Sequence, residues 1–249
     1  MSSAMHVSTR WYSERVRREV TLNRWGHDGQ PVLIFPTAGG DAGEIERFHV
    51  IRVLKDLIDA GRIRVYSCDS VGGQVWFTKE GSPEYRMWMQ HQFHQYVKHE
   101  LAPAIRRDCK DDDVTIWASG ASIGAFHSVA AVCRFPDIFS RALAMSGTFN
   151  ILRFIETDFK YTEEYFVSSP LQFVPTLSGP HLEKLRERFI LFATGEGRAE
   201  NIGESWAMAK LLGQKRIPNR VDSWGPDWHH DWPTWRNMLP KYLGEWTEK

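Results

Sequence analysis

Short apolar runs that end in small residues recur along this 249-residue chain, and stretches with helical spacing separate them. The six runs have the length of buried strands. They occupy residues 31–40, 62–70, 113–120, 141–147, 188–197 and 219–225. The clearest helical stretches are Ile45–Ala60, Tyr85–Arg107, Gly124–Arg134, Ser205–Gln214 and Trp232–Trp246. This alternation predicts an α/β fold with a mostly parallel central sheet and helices on both of its faces.

The chain has no internal repeat or low-complexity linker, so we predict a single domain over residues 1–249. Residues 17–25 alternate in polarity and are typical of an antiparallel strand at the edge of such a sheet. Residues 149–181 interrupt the alternation of strands and helices. They contain many aromatic residues, and their Ser-Pro and Gly-Pro pairs break regular secondary structure. We expect this excursion to border a pocket.

Charge and hydropathy exclude several classes of partner. Lysine plus arginine equals aspartate plus glutamate at 31 each, so the chain has no net positive charge that would attract nucleic acid or an anionic membrane. The N-terminal residues lack the apolar core of a secretory signal, and no run has the length of a membrane span. These features predict a cytoplasmic protein that acts on a small molecule.

The stretch WASGASIGAF, residues 117–126, places Gly120 and Gly124 two positions on either side of Ser122. It follows an apolar strand and opens a helix, at the end of a parallel strand where ligands gather. This G-x-S-x-G arrangement predicts a nucleophile elbow, in which small neighbours allow a tight turn that exposes the serine oxygen. The backbone N–H groups after the serine then point at a developing oxyanion.

A serine nucleophile needs a histidine base and an acid that orients it, and with this elbow the chain order is serine, acid, histidine. Four histidines follow Ser122. His127 lies on the elbow helix and His181 opens a polar helix, so neither is favoured as the base. His229 and His230 follow the last strand, and spacing alone leaves both open.

The acid is expected in the loop after the penultimate strand, where the sequence offers Glu196 and Glu200. Asp222 lies within the following strand, where its side chain would face the sheet or a helix. Glu200, next to Asn201, would also suit a helix N-terminus. Composition and spacing leave the choice open.

Four blocks of the sequence together resemble the putative-esterase family of α/β-hydrolases, which includes the S-formylglutathione hydrolases (esterase D) and the mycolyltransferases. They are VLIFPTAGGDAGEIERF, WASGASIGAFHS, ATGEGRAEN and HDWPTWRNMLPKYL, and they extend over residues 32–243. The last block is the most specific, because histidine, a small polar residue, tryptophan, proline and an aromatic residue follow one another in this family. The resemblance implies the α/β-hydrolase fold.

For the catalytic residues, the resemblance implies His230 rather than His229 as the base. In sequences of the S-formylglutathione hydrolase type the acid lies three residues after a glycine of this loop, so Gly197 points to Glu200. Glu196 remains the alternative.

The first block resembles the family's oxyanion loop, which implies that Ala38 or Gly39 donates one backbone N–H group to the oxyanion. Ile123 would donate the second. Glycines at such a loop let the backbone approach the substrate closely.

These assignments predict a serine esterase that hydrolyses a small-molecule carboxylic ester or thioester through an acyl-enzyme, without metal or organic cofactor. Two alternatives stay open. One is an acyltransferase to an acceptor other than water, and the other is an inactive hydrolase fold that serves as a binding module.

The C-terminal aromatic residues permit two interpretations. Trp228, Trp232 and Trp235 could line an acyl or aryl pocket, because flat apolar walls suit such groups. Helical spacing favours a buried position for Trp232 and Trp235, which leaves Trp228 as the candidate pocket residue.

A metal site is the remaining alternative, because Asp227, His229, His230 and Asp231 form a dense group of donors. Adjacent residues point in different directions, and the spacing of a zinc motif is absent. We therefore predict no metal.

Overall fold

The centre of the molecule is a sheet whose strands match the predicted runs. The computed structural model describes residues 6–154 and 161–248. Its strands are β1 (His6–Ser13), β2 (Arg18–Trp25), β3 (Gln30–Phe35), β4 (Ile63–Cys68), β5 (Ile116–Ala121), β6 (Phe139–Met145), β7 (Phe189–Thr194) and β8 (Asn219–Ser223). Their order in the sheet is β1-β2-β4-β3-β5-β6-β7-β8.

The sheet is parallel from β4 through β3 to β8 and antiparallel at the other edge, where β1 pairs with β2 and β2 with β4. This confirms the mostly parallel sheet and the antiparallel strand over residues 17–25. The sequence pattern missed β1. Seven of its eight residues are at least partly exposed, so it has no alternation of apolar and polar residues for a pattern to detect.

The helices fill the connections between strands. They are α1 (Glu44–Arg47), α2 (Val50–Val53), α3 (Lys55–Asp59), α4 (Val71–Phe77), α5 (Pro83–Tyr96), α6 (Ala102–Cys109), α7 (Ile123–Arg134), α8 (Glu163–Ser168), α9 (Pro170–Phe173), α10 (Gly179–Arg186), α11 (Ile202–Gln214) and α12 (Trp232–Thr247). A π-helical turn, Val97–Leu101, joins α5 to α6.

Two of the helical segments differ from expectation. The predicted helix over Ile45–Ala60 is divided into α1, α2 and α3, and His49 between the first two has a φ of 63°. A residue with positive φ cannot continue a right-handed helix. The short helix α4 was not predicted, because Gly72 and Gly73 are poor helix formers.

Both faces of the sheet are covered, which confirms the predicted α/β fold with helices on both faces of a mostly parallel sheet. Val32 and Ile34 of β3 face a core that α1–α3 and α12 complete. Leu33 and Phe35, which alternate with them, face the larger core against α4–α7 and α11. Such near-continuous apolar strands are expected in a parallel sheet buried on both faces.

The predicted excursion over 149–181 contains residues 155–160, which lie outside the described residues. In its described part, α8 packs against α5. None of the helices in the described ranges combines the length and apolar character that a membrane crossing requires.

Candidate active site

Ser122 stands at the turn between β5 and α7. Its φ of 58° and ψ of −120° lie in a sparsely populated region for a residue with a side chain. The turn is held on both sides, because the Ser122 N–H donates to Met145 O at 3.0 Å and its carbonyl accepts the Ala125 N–H at 3.1 Å. A strained serine between a strand and a helix is the geometry of a nucleophile elbow.

The two glycines of the motif allow this turn through close backbone contacts. A Cβ atom on Gly120 would lie 2.4 Å from the carbonyl carbon of Gly124. A Cβ atom on Gly124 would lie 2.5 Å from the carbonyl oxygen of Phe35 at the end of β3. A side chain at Gly120 would separate β5 from α7, and a side chain at Gly124 would separate α7 from β3.

A cavity of about 580 Å³ opens at the carboxyl ends of β3 and β5, and both Ser122 and His230 line it. Ala38 and Gly39, from the loop after β3, also line it. No acceptor within residues 6–154 and 161–248 receives a hydrogen bond from the backbone N–H of Ala38, Gly39 or Ile123. These donors are therefore available for an oxyanion.

A buried carboxylate holds the loop that contains Ala38 and Gly39. Glu44 accepts the backbone N–H of Thr37 at 2.8 Å and its hydroxyl at 2.6 Å. Gly40 leaves room for this contact, because a Cβ atom there would lie 2.6 Å from the Glu44 carboxyl carbon. Burial raises the pKa of Glu44, and the two bonds to Thr37 oppose that rise. Sequence reasoning missed Glu44, because its partner is identified only in three dimensions.

Glu200 is the predicted acid that lies beside His230. Its Oε2 lies 3.5 Å from His230 Nδ1, and its side chain is only 1% exposed. Its other oxygen, Oε1, accepts the hydroxyl of Ser146 at 2.5 Å. Trp235 Nε1 donates to that hydroxyl at 2.9 Å, and the Trp235 ring stands edge-on to the His230 ring. Trp235 therefore contacts the imidazole directly and reaches the carboxylate through the Ser146 hydroxyl.

Ser146 is a second residue that sequence reasoning missed. It directly follows β6 in the apolar run over 141–147, and it has a φ of 47°. Its position at the carboxyl end of a parallel strand was the available signal, since catalytic groups gather at that edge.

His229 and His230 have separate surroundings despite their adjacency. His229 Nδ1 accepts the Arg198 N–H at 3.0 Å, and the backbone N–H of His230 donates to Arg198 O at 3.1 Å. A Cβ atom on Gly197 would lie 2.1 Å from His229 Nδ1, so only glycine permits this approach. The histidine loop is therefore held directly against the loop that carries Glu200.

The other candidate acids have partners elsewhere. Glu196 accepts the hydroxyl of Ser223, and Asp222 accepts the hydroxyl of Tyr242 at 3.0 Å.

The other candidate histidines also have partners elsewhere. His127 is buried beside Gln90, and His181 Nε2 lies 2.8 Å from the carbonyl oxygen of Cys133.

Aromatic side chains form part of the cavity wall. Trp232 stacks on Phe48 with ring centroids 4.5 Å apart, and both line the cavity together with Phe77 and Trp235. Trp235 is also buried in the core, as its helical spacing predicted. Trp228, the predicted pocket residue, is not among the lining residues and packs edge-to-face on Trp224.

The candidate metal donors in the sequence were the acidic and histidine side chains around His229. Asp231 accepts the Thr234 N–H and caps α12. Within the described parts of the chain, no group of three or more histidine, cysteine, aspartate or glutamate side chains has an arrangement that could hold a metal ion.

In the comparison with protein families, the model of the family described as putative esterase matches residues 49–239. Comparison with curated protein sequences gives no match.

Solved structures with the same fold cover nearly the whole chain. A ferulic acid esterase is 16% identical, with a TM-score of 0.70 and coverage of 96% of each chain. An S-formylglutathione hydrolase from Agrobacterium tumefaciens is 14% identical, with a TM-score of 0.70 and coverage of 98% of this chain and 96% of that chain. Mycobacterium tuberculosis MPT51 is 14% identical, with a TM-score of 0.69 and coverage of 98% of each chain.

Proposed function

This chain belongs to the putative esterase family and is a carboxylic ester hydrolase, and we propose that it acts through an acyl-enzyme on Ser122, with His230 as base and Glu200 as acid. One observation carries the proposal. His230 shares a cavity with Ser122 while its Nδ1 lies 3.5 Å from the Glu200 carboxylate. Glu200 then favours the tautomer with a proton on Nδ1, which leaves Nε2 free to accept the serine proton.

In the first half-reaction, Ser122 Oγ attacks the ester carbonyl carbon and its proton passes to His230 Nε2. The negative charge on the carbonyl oxygen receives hydrogen bonds from the N–H of Ile123 and of Ala38 or Gly39. Each well-aimed donor contributes about 3–4 kcal/mol to transition-state stabilisation. The tetrahedral intermediate collapses, and the alcohol leaves with the proton from His230.

In the second half-reaction, water attacks the acyl-enzyme and gives a proton to His230. Collapse releases the carboxylic acid, and the proton returns to Ser122 Oγ. Glu200 stabilises the imidazolium in both halves without taking its proton. The apolar wall of Phe48, Phe77 and Trp232 supports a small ester with an apolar acyl or alcohol group as substrate.

The experiment is turnover of 4-nitrophenyl acyl esters by wild type, Ser122→Ala and His230→Ala. Each of these variants is expected to lose about 10⁶-fold in kcat, because the serine and histidine of such a unit act together. A fluorophosphonate probe is expected to label wild type and to leave Ser122→Ala unlabelled.

His229→Gln is the matched control for the base, because glutamine can still accept the Arg198 N–H. It is expected to retain most of the activity. Turnover that survives in Ser122→Ala, or a greater loss in His229→Gln than in His230→Ala, would refute the assignment.

A further inference from the structure

Three aromatic side chains, Trp235, Trp232 and Phe48, form a row that begins at the ring of His230. The Trp235 ring stands edge-on to the His230 ring, with centroids 5.2 Å apart. The Trp232 ring stands edge-on to Trp235 at 5.1 Å, and Phe48 stacks on Trp232 at 4.5 Å. All members of this aromatic row line the cavity that contains Ser122. The row therefore connects the proposed base to a more distant part of the cavity.

The two members farther from His230 keep part of their ring surface open. Phe48 is 41% exposed and Trp232 is partly exposed, whereas Trp235 is only 4% exposed. Trp232 is the first residue of α12, and Arg236 Nη1 of the same helix donates to Phe48 O at 3.1 Å, which holds the pair together. Apolar surface inside a cavity favours a bound apolar group, because contact removes that surface from water. Phe48 and Trp232 therefore offer a preformed binding surface.

The chemistry of acylation determines which part of an ester lies beside this row. When the tetrahedral intermediate collapses, His230 Nε2 gives its proton to the oxygen of the leaving alcohol. That oxygen must then lie within about 2.6–3.2 Å of the imidazole nitrogen. The alcohol group is attached to this oxygen, so it extends from the side of the reaction centre where the aromatic row begins. The acyl chain leaves the carbonyl carbon along a different bond and is not held at the imidazole.

We propose that Trp232 and Phe48 bind an aromatic ring in the alcohol group of the ester, so that esters of alcohols with an aromatic ring are the preferred substrates. This inference rests on the proposed function. An aromatic ring suits the row better than a saturated ring of similar size, because aromatic rings attract one another in offset-stacked and edge-to-face arrangements. Stacked and edge-to-face pairs both occur within the row itself.

The experiment compares kcat/KM for three acetates with different alcohol groups, namely benzyl acetate, cyclohexylmethyl acetate and ethyl acetate. Wild type is expected to prefer benzyl acetate about tenfold over ethyl acetate and about threefold over cyclohexylmethyl acetate. The first ratio measures binding of a ring, and the second measures the contribution of its aromatic character. All three esters form the same acetyl-enzyme, so hydrolysis of that intermediate does not contribute to either ratio.

Leucine substitutions test the assigned residues. Phe48→Leu and Trp232→Leu keep an apolar side chain but remove a ring, so each is expected to lower the preference for benzyl over cyclohexylmethyl acetate. The double variant is expected to remove that preference, and Trp232→Phe is expected to keep most of it. If Trp232→Leu does not fold, Phe48→Leu still tests the site.

Phe166→Leu is the matched control. Phe166 on α8 is 40% exposed, close to the exposed fraction of Phe48, and it is not among the lining residues of the cavity. This variant is expected to keep both ratios.

A second comparison, of ethyl phenylacetate with ethyl acetate, places the aromatic ring on the acyl side. Phe48→Leu is expected to leave this ratio unchanged, because the acyl chain does not extend along the aromatic row. A merely structural effect of the substitution would instead change kcat/KM for all the esters alike.

Three results would overturn the aromatic-alcohol site. They are a wild type without preference for benzyl acetate, a preference that the double variant retains, and an acyl-side ratio that falls in Phe48→Leu as much as the alcohol-side ratio. Ethyl acetate separates these failures from failure of the proposed function. It has no ring, and its turnover must depend on Ser122 if the function is correct, whether or not Trp232 and Phe48 bind a ring.

Discussion

One oxygen of the Glu200 carboxylate is fixed by a hydrogen bond, and the other lies near the proposed base. Oε1 receives the Ser146 hydroxyl, and Oε2 faces His230 Nδ1. The Ser146 oxygen in turn receives the indole N–H of Trp235, so the hydroxyl proton is directed toward Glu200. The hydrogen bond to Oε1 limits rotation of the carboxylate and keeps Oε2 on the side of the imidazole. At the scale of single residues, the proposed role of Glu200 as the acid therefore depends on its contacts with Ser146 and His230 as well as on its charge.

Replacement of Glu200 by glutamine is expected to lower kcat by about 10⁴-fold, because an amide can stabilise the wrong histidine tautomer and cannot balance the imidazolium. Glu196→Gln, on the same loop, is the matched control and is expected to keep near-wild-type kcat. Steady-state kinetics with a 4-nitrophenyl ester, together with thermal unfolding of each variant, provide the measurement. A larger loss in Glu196→Gln would transfer the role of acid to Glu196.

At the scale of elements, the elbow depends on contact between three segments. The end of β5, the start of α7 and the end of β3 meet through Gly120, Gly124 and the carbonyl oxygen of Phe35. The loop that follows β3 carries Ala38 and Gly39, and Glu44 anchors it at Thr37. A change in the spacing of α7 and β3 would therefore move Ser122 and the loop that carries Ala38 and Gly39 apart.

Gly124→Ala is expected to test this contact. The added methyl group would lie 2.5 Å from Phe35 O and 2.7 Å from Pro36 O, so β3 or α7 must shift. Overpacking of this kind costs about 1–3 kcal/mol, and we expect a large loss of kcat as well.

Gly213→Ala in α11 is the control, because nothing lies within 4 Å of its added Cβ atom. Alanine there is expected to stabilise the fold by about 0.5–1 kcal/mol. Urea unfolding measures both variants. Wild-type stability and activity in Gly124→Ala would contradict the close-contact explanation.

At the scale of the whole molecule, two neutral histidines lie in the core between α5 and α7. Arg134 Nη1 lies 2.8 Å from His94 Nδ1, and a guanidinium can only donate, so His94 carries its proton on Nε2. The side-chain amide of Gln90 lies 2.9 Å from His94 Nε2 and 3.3 Å from His127 Nδ1. When the oxygen of this amide faces the two rings, it accepts one hydrogen bond from His94 Nε2 and one from His127 Nδ1. The bond from Arg134 therefore requires His94 to be uncharged, and burial away from water favours the uncharged form of His127.

Burial lowers the pKa of His127 to about 3, and burial with the nearby Arg134 charge lowers the pKa of His94. Below pH 6.5 the unfolded chain binds these protons and the folded chain does not. The two histidines therefore contribute to the free energy of unfolding above pH 6.5, and this contribution is lost as the pH falls toward 3.

Wild type is expected to lose roughly 2 kcal/mol more than His127→Asn between pH 7 and pH 5, because only wild type has this histidine to protonate on unfolding. Urea unfolding of both proteins at the two pH values gives the difference. Parallel losses in wild type and variant would show that His127 is protonated in the folded state.

Local patterns in the sequence were sufficient for much of the architecture. Apolar runs predicted β3 to β8, because the pattern of buried side chains along a strand is visible within its own few residues. The motif around Ser122 predicted a tight turn, because the small residues that permit it are neighbours in the chain. The resemblance to the putative-esterase family was confirmed by the match over residues 49–239. The catalytic roles of Ser122, His230 and Glu200 stay predictions.

Tertiary structure decided which of several chemically equivalent residues lie together. Glu196 and Glu200 share one loop, but only Glu200 meets Ser146, 54 positions away in the chain. The contacts of Glu44 and the stacking of Phe48 on Trp232 left no trace in local spacing. Such arrangements depend on how distant segments pack and on which polar groups that packing leaves to be satisfied, and the periodicity of one segment carries no information about either.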